Sequence, residues 1–291
     1  MFVLGNACID ITLPVRRWPV AGETLVAEGI SRAPGGKGLN QAVVAARAGA
    51  EVRFCAPLGA GADAAMIRDV LEAEGFAGLH LPDVGRATDL SMLLVTPDGE
   101  NRIVSAGACA DALSPNAAAA FVADMADDDF LLIQGNLSQA ATLAALRGRV
   151  LNTAPLRWDY ASLLPRCEVV IANRFEAGRL SGLDDPAEAA RRLGGRVGIV
   201  TLGRDGCVVA AGATLARYAA QPVAAVDTTG AGDTFAGVLV AIMALGMDLA
   251  SAVIAAQSAA ALAVTRHGCF GALPTRRELN DIITIPVSTR R

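Results

Sequence analysis

The stretch Val226-Asp227-Thr228-Thr229-Gly230-Ala231-Gly232-Asp233-Thr234-Phe235 closes one apolar segment, Pro222 to Val226, and opens another, Phe235 to Leu245. Gly230 and Gly232 accept backbone angles that a Cβ resists. A chain that turns here into a helix points several unpaired N–H groups one way. The helix dipole adds to their pull on an anion. Asp233 falls in or just before the first helical turn. A carboxylate beside a phosphate cradle reads as a base that takes a hydroxyl proton while a phosphoryl group arrives. The plainer alternative is a glycine-rich turn with Asp233 as N-cap.

A second glycine loop lies far upstream, at Pro34-Gly35-Gly36-Lys37-Gly38. Leu39 to Ala48 then reads as a helix stopped by Gly49. Asn40 stands at its start, either as a cap or facing whatever the loop holds. The spacing is not that of a P-loop, because Lys37 is followed by glycine and the G-x-x-x-x-G-K pattern fails. Among 25 basic residues Lys37 is the single lysine, and the rest are arginine. A lysine is a compact point charge where arginine is a planar fork, so a tight loop admits the former more readily.

Between and beyond these loops the pattern alternates. Phe2 to Gly5, Val52 to Ala56, Phe130 to Gln134, Val150 to Asn152, Val169 to Ala172 and Gly198 to Thr201 read as strands. Helical runs separate them: Ala62 to Glu74, Asn116 to Met125, Gln139 to Arg147, a short one from Asn173 to Leu180, and Pro186 to Leu193. Alternation of this kind predicts a mostly parallel sheet with helices on both faces. Cys207 to Ala210 and Leu215 to Tyr218 predict a terminal hairpin. Phe235 to Leu245 and Leu249 to Thr265 predict two alanine-rich helices. Asp10, just past the first strand, is either a ligand contact or a turn residue, since open α/β sheets bind ligands at strand ends. Ile11 to Ala33 is broken by Pro14, Pro19 and Gly22 into short β-like pieces such as Thr24-Leu25-Val26. Leu90 to Thr96 and Asn101 to Ser105 flank the turn signal Pro97-Asp98-Gly99. The two regions, about 11–34 and 89–106, predict a small second sheet that acts as a lid or a dimer surface. Gly59-Ala60-Gly61-Ala62-Asp63-Ala64 formally matches a dinucleotide fingerprint. Pro57 interrupts its turn and no acid follows at the required distance.

Composition narrows the function classes. The chain has 291 residues, 53% hydrophobic content and a net charge of −4. That length is compatible with one domain over 1–291, and the charge gives no pull toward nucleic acid. Six cysteines are scattered without a C-x-x-C pair. With two histidines, His80 and His267, no zinc site is expected, and the thiols read as buried in a reducing cytoplasm. Met1 to Asn6 lacks a basic region and Asp10 follows soon, so no signal peptide is expected. Leu249 to Thr265 is shorter than a membrane span and carries Gln257, so no membrane partner is expected.

Taken together, Gly35-Gly36-Lys37-Gly38-Leu39-Asn40-Gln41-Ala42 and Asp227 to Phe235 resemble the two signatures of the ribokinase family, the PfkB-type carbohydrate kinases. The resemblance runs from about Gly5 to Pro274. It implies a ribokinase-like α/β fold and transfer of the γ-phosphoryl of ATP to a sugar hydroxyl. By the same resemblance Asp233 is the base, and Gly230, Ala231 and Gly232 form the anion hole. Asp10, Gly36, Lys37, Asn40 and Asn136 hold the sugar. Thr201, Gly203, Gly206, Gly232 and Gln257 face the nucleotide. Asn173 and Glu176 match a motif linked to phosphate and to Mg2+, with Glu176 acting through water; their spacing alone fits a capping box better. Asp227 and Thr229, with carbonyls near Ala263, Arg266 and Gly268, match a monovalent-cation site, K+ in many relatives, although Ala272 replaces a serine. A homodimer through the lid is also implied.

Two positions depart from the ribokinase pattern. Asn136 stands where ribokinases carry a glutamate that grips ribose, and Cys8 where they carry asparagine. An amide donates as well as accepts, and a thiol is a poor partner. The pocket therefore presents a different hydrogen-bond pattern, and another pentose, a ketohexose or a nucleoside remains open. A nucleoside kinase of the same fold is the alternative, and a non-catalytic sugar-binding regulator a more distant one.

Overall fold

Nine strands hydrogen-bond into one sheet in the computed structural model, which describes residues 1–97, 100–146 and 150–284. The strands of both sheets are, in chain order, β1 (Phe2–Leu4), β2 (Cys8–Pro14), β3 (Ser31–Gly35), β4 (Arg53–Cys55), β5 (Gly78–His80), β6 (Asp89–Val95), β7 (Asn101–Ala106), β8 (Leu131–Gln134), β9 (Val150–Asn152), β10 (Val169–Asn173), β11 (Val197–Thr201), β12 (Cys207–Ala211) and β13 (Thr214–Tyr218). The large sheet runs β13-β12-β11-β10-β9-β8-β1-β4-β5. From β11 to β5 every neighbour is parallel, and β12 and β13 return antiparallel as the terminal hairpin.

The helices are α1 (Lys37–Arg47), α2 (Ala62–Ala73), α3 (Ala108–Asp111), α4 (Pro115–Phe121), α5 (Gln139–Ala145), α6 (Arg174–Ser181), α7 (Pro186–Arg192), α8 (Ala231–Ala244), α9 (Leu249–Ala263) and α10 (Arg276–Thr284). Strand side chains alternate between two cores because successive Cβ atoms point to opposite faces. Val3, Phe54, Leu132, Ile171 and Ile199 enter the core shared with α1, α2, α8, α9 and α10. Phe2, Leu4, Ile133, Val170 and Val200 enter the core shared with α3 to α7. The near-continuous apolar strands follow from burial on both faces.

The second sheet is β3-β2-β6-β7. Its outer pairs are antiparallel and its central pair, β2 with β6, is parallel. β2 begins at Cys8, so Asp10 lies inside a strand of this sheet, opposite Ser91 of β6. Asp10 is therefore not a turn residue, and the loop that leads into α1 leaves the second sheet rather than the first. Thr24-Leu25-Val26 is not a strand; those residues lie in the excursion between β2 and β3. The hairpin β6–β7 forms as its alternation predicts, with Asp98 and Gly99 of its turn outside the described residues. Arg147, expected at the end of α5, also lies outside them. The fingerprint-like Gly59 to Ala64 runs into α2, the ordinary crossover helix after β4. Among the described residues no helix is long and apolar enough to cross a membrane.

Candidate active site

Two helix starts meet where the first turns of α1 and α8 converge. Gly36 is the residue before α1, at φ 102°. Asn6 at the end of β1 holds that turn, accepting from Leu39 N through its carbonyl at 3.0 Å and from Gly38 N through Oδ1 at 3.3 Å. Gly230 caps α8 in the left-handed region at φ 79°. A Cβ at Gly230 would also stand 2.7 Å from Cys269 Sγ, so this position is closed to a side chain twice over. Helix α8 starts at Ala231, four residues before the apolar run, which puts Asp233 in its first turn and beside its positive end. Ala231 N already leans on Thr228 O at 3.3 Å. By helix geometry the amides of Gly232 and Asp233 have no intrahelical acceptor.

Asp233 is 5% exposed and collects side chains from α1. Its Oδ1 accepts from Gln41 Nε2 at 2.9 Å and lies 3.8 Å from Lys37 Nζ. Its Oδ2 accepts from Asn40 Nδ2 at 3.4 Å. Asn40 Nδ2 also points at Cys269 Sγ, at 3.0 Å. Among the described residues the buried Asn40 Oδ1 has no hydrogen-bond partner, so it offers an acceptor to a ligand. The carboxylate of Asp233 holds the Lys37 ammonium charged, raising its pKa. Burial, and after it the charge of Asp233, push the Cys269 thiol upward, so it stays neutral.

Asp10 joins this group from the second sheet. A Cβ at Gly35 would stand 2.0 Å from Asp10 Oδ2, so the glycine gives the carboxylate its room. Cys8 Sγ donates to Asp10 Oδ1 at 3.4 Å and shares a contact with Ser91 Oγ at 3.6 Å. Burial raises the Asp10 pKa to about 6; the Asp233 charge adds to this, while the Cys8 hydrogen bond and Lys37 oppose it. Asn136 stands apart from this hydrogen-bonded cluster. Its backbone carbonyl accepts from Arg157 Nη1 at 2.5 Å, and its Oδ1 is buried without a partner among the described residues.

Of the residues expected to face the nucleotide, Asn173, Thr201, Gly203 and Gly206 lie at the ends of β10 and β11. Asn173 caps α6, and the capping box is present: Glu176 N donates to Asn173 Oδ1 at 2.9 Å and Asn173 N to Glu176 Oε2 at 3.0 Å. Thr153 Oγ1 adds 2.8 Å to the same Oε2. The plain reading of this spacing therefore holds, and it leaves a buried carboxylate at a strand end. Thr201 sits beside Asn173 in register. The turn after it uses Gly203 at φ 59° and Gly206 at φ 87°. Gln257 on α9 spends its amide donor on Tyr218 O at 3.1 Å, which ties α9 to the hairpin edge.

Asp227 clamps the approach to α8. Its Oδ1 accepts from Thr229 N at 2.9 Å and its Oδ2 from Gly268 N at 3.0 Å. Ala263 O accepts from Arg266 N at 3.2 Å, and the Arg266 guanidinium pairs with Glu278. That pairing holds Glu278 down at about 2. Among the described residues no group of three or more His, Cys, Asp or Glu gathers to hold a metal. The six cysteines are free, and Cys269 is the half-buried one.

Gln41 and its partner Gln134 have no role in the sequence reading. Position 41 adjoins Asn40 in the glycine-loop motif, but nothing in the sequence pairs it with a residue 93 positions away.

Residues 1–276 match the family described as pfkB family carbohydrate kinase. The ribokinase of Haemophilus influenzae is 32% identical over 297 residues, which cover 97% of each chain. The crystal structure of ribokinase from Thermotoga maritima superposes with a TM-score of 0.86 at 27% identity, covering 98% of this chain and 99% of that one. Arabidopsis thaliana ribokinase complexed with ribose and ATP superposes with a TM-score of 0.81 at 25% identity, covering 98% of both chains. The chain belongs to the pfkB family of carbohydrate kinases, phosphotransferases that use an alcohol group as acceptor.

Proposed function

We propose that this protein transfers the γ-phosphoryl of ATP to a hydroxyl of a monosaccharide, with Asp233 as general base. The observation that carries the reading is the buried Asp233 carboxylate at the start of α8, met by Lys37 and Asn40 from the facing helix. The sugar lies against Asp10, Gly36, Lys37, Asn40 and Asn136. Its reacting hydroxyl gives a proton to Asp233 as oxygen closes on the γ-phosphorus, and ADP leaves. The amides of Gly230 to Gly232 and the Lys37 charge stabilise the phosphoryl oxygens. Such a reaction needs positioning and charge stabilisation more than a strong base.

Asn173, Thr201, Gly203, Gly206 and Gln257 line the nucleotide side in this reading. Glu176 fits Mg2+ through water. The ion takes few protein ligands when it rides on phosphates, and Glu176 is a buried carboxylate with one oxygen, Oε2, held in place by neighbours. When bound, Mg2+ neutralises charge on the β- and γ-phosphates. Asp227, Thr229 and the carbonyls of Ala263, Arg266 and Gly268 offer oxygen donors only, a set for a hard cation, and the family resemblance makes that ion a monovalent one such as K+. We read 1–291 as one domain with the four-stranded sheet as lid. The exposed apolar residues Ile103 and Val104 on its edge strand support a homodimer through that sheet. The unpaired thiols fit a reducing cytoplasm.

A panel of monosaccharides and nucleosides with ATP and Mg2+, read as ADP release, tests the reading. A monosaccharide is expected to be the best acceptor. Preference for a nucleoside, or no turnover with any acceptor, would reject it.

A further inference from the structure

Behind the Asp233 carboxylate lies a chain of amides that no substrate reaches. Gln134 Nε2 donates to Gln41 Oε1 at 2.7 Å, and Gln41 Nε2 donates to Asp233 Oδ1 at 2.9 Å. Both glutamines are 0% exposed. A carboxylate only accepts, so the nitrogen of Gln41 must face Asp233 and its oxygen must face away; that in turn fixes which end of Gln134 points inward. The direction of the relay is set by chemistry.

The backbone is cut away to admit it. A Cβ at Gly5 would stand 2.1 Å from Gln134 Oε1; Gly237 on α8, whose Cβ would stand 2.4 Å from the main-chain Gln41 O, lets the backbone of α1 come close. Gln134 Oε1 is buried without a partner among the described residues, a state that carries a desolvation penalty. Apolar side chains of the same size would fill this space without that penalty, but they could not orient a carboxylate.

We propose that Gln41, anchored by Gln134, is the positioning residue for Asp233: it engages Oδ1 and leaves Oδ2 to receive the alcohol proton. Oδ1 already holds a 2.9 Å hydrogen bond and the nearby Lys37, whereas Oδ2 has the single longer contact from Asn40 at 3.4 Å. The inference rests on the reading of Asp233 as base.

A double-mutant cycle tests it. Gln41→Met keeps the length and apolar stem of the side chain and removes both polar ends. It is expected to lower kcat about 10- to 100-fold, the scale of a misplaced catalytic group. KM for ATP and for the accepted sugar should stay within about threefold, because Gln41 touches neither. Asp233→Asn is expected to lower kcat about 10²-fold or more. In that background Gln41→Met should change the residual rate by less than about twofold, because a residue that acts through Asp233 has nothing left to position. Near wild-type kcat in Gln41→Met, or the same fractional loss in both backgrounds, overturns the positioning role alone. Near wild-type kcat in Asp233→Asn overturns the base assignment and the positioning role with it. If Gln41→Met does not fold, Gln134→Met carries the same cycle with Gln41 in place, with an expected loss of about 3- to 10-fold from a loosened anchor.

Discussion

Asp227 Oδ2 accepts the Gly268 N–H at 3.0 Å, joining residues 41 positions apart. The bond fastens the loop before α8 to the loop after α9. Gly230 lies three residues beyond Asp227 and Cys269 next to Gly268, and a Cβ at Gly230 would stand 2.7 Å from Cys269 Sγ. The position at which α8 starts, and hence the position of Asp233, depends on this clamp.

Asp227→Ala removes the carboxylate to which the amides of Thr229 and Gly268 donate. The site is half-buried, so the expected loss is about 1–2 kcal/mol, toward the low end of the range for such groups. It is read as a lower urea midpoint with unchanged slope. Activity should fall with it, and Asp227→Asn, which keeps one acceptor oxygen, should recover part of both. An unchanged midpoint in the alanine variant would remove the clamp from the account.

Asp10 predicts a pH dependence. Its carboxyl titrates at about 6 rather than at the ordinary 3.8, chiefly because it is buried. An ionised Asp10 accepts hydroxyl hydrogen bonds at both oxygens, and a protonated one loses that capacity. The kcat/KM for the sugar, which reports groups of the free enzyme, should therefore fall as pH drops below about 6. Asp10→Asn should be weaker throughout and lose that limb. Folding runs the other way. A raised carboxyl pKa contributes stability that is complete below the unfolded value and lost as pH rises through the folded one. Asp10→Asn should therefore gain stability over wild type as pH rises through about 6, while it loses sugar affinity.

Glu176 separates a structural from a metal role. Asn173→Ala removes the cap and should cost about 1 kcal/mol. Glu176→Gln keeps an acceptor for Asn173 N and Thr153 Oγ1, so its stability should stay within about 1 kcal/mol of wild type. If Glu176 meets Mg2+, the glutamine variant needs a higher Mg2+ concentration for half-maximal rate. A Mg2+ titration superimposable on wild type would leave Glu176 with the capping box alone.

Asn136 bears on the choice of sugar. Among the described residues its buried Oδ1 has no partner, and the family resemblance implies a ribose-gripping glutamate at this position in ribokinases. Asn136→Glu should raise kcat/KM for ribose relative to the best native acceptor by about tenfold or more, the scale of one buried hydrogen bond gained or lost. An unchanged ratio would place sugar selection elsewhere, with Cys8 the next position to vary.

Much of this site was legible because its chemistry sits in two short glycine-rich segments. What the sequence obscured has physical causes. The first turns of α1 and α8 are rich in glycine and lack apolar periodicity, so both helices begin earlier than their hydrophobic runs, at Lys37 and Ala231. The three-residue edge strand Gly78–His80 and the four-residue helix Ala108–Asp111 are too short to show a period. Helix Arg276–Thr284 buries only Leu279 fully, with Ile282 and Ile283 partly buried against the core, so too few apolar positions mark its period. Asp10 looked like a strand-end residue because a strand of the second sheet begins only four residues after β1 ends. Asn173 and Glu176 were readable as a cap because capping is local. Gln41 and Gln134 were not, since their pairing exists only once α1 packs beside β8.

The most direct measurement is a crystal structure of the protein with its accepted sugar and a non-hydrolysable ATP analogue. One sugar hydroxyl is expected within hydrogen-bonding distance of Asp233 Oδ2, with Gln41 still on Oδ1 and the terminal phosphate before the first turn of α8. A triphosphate lying away from that turn, or a sugar whose hydroxyls all miss Asp233, would contradict it.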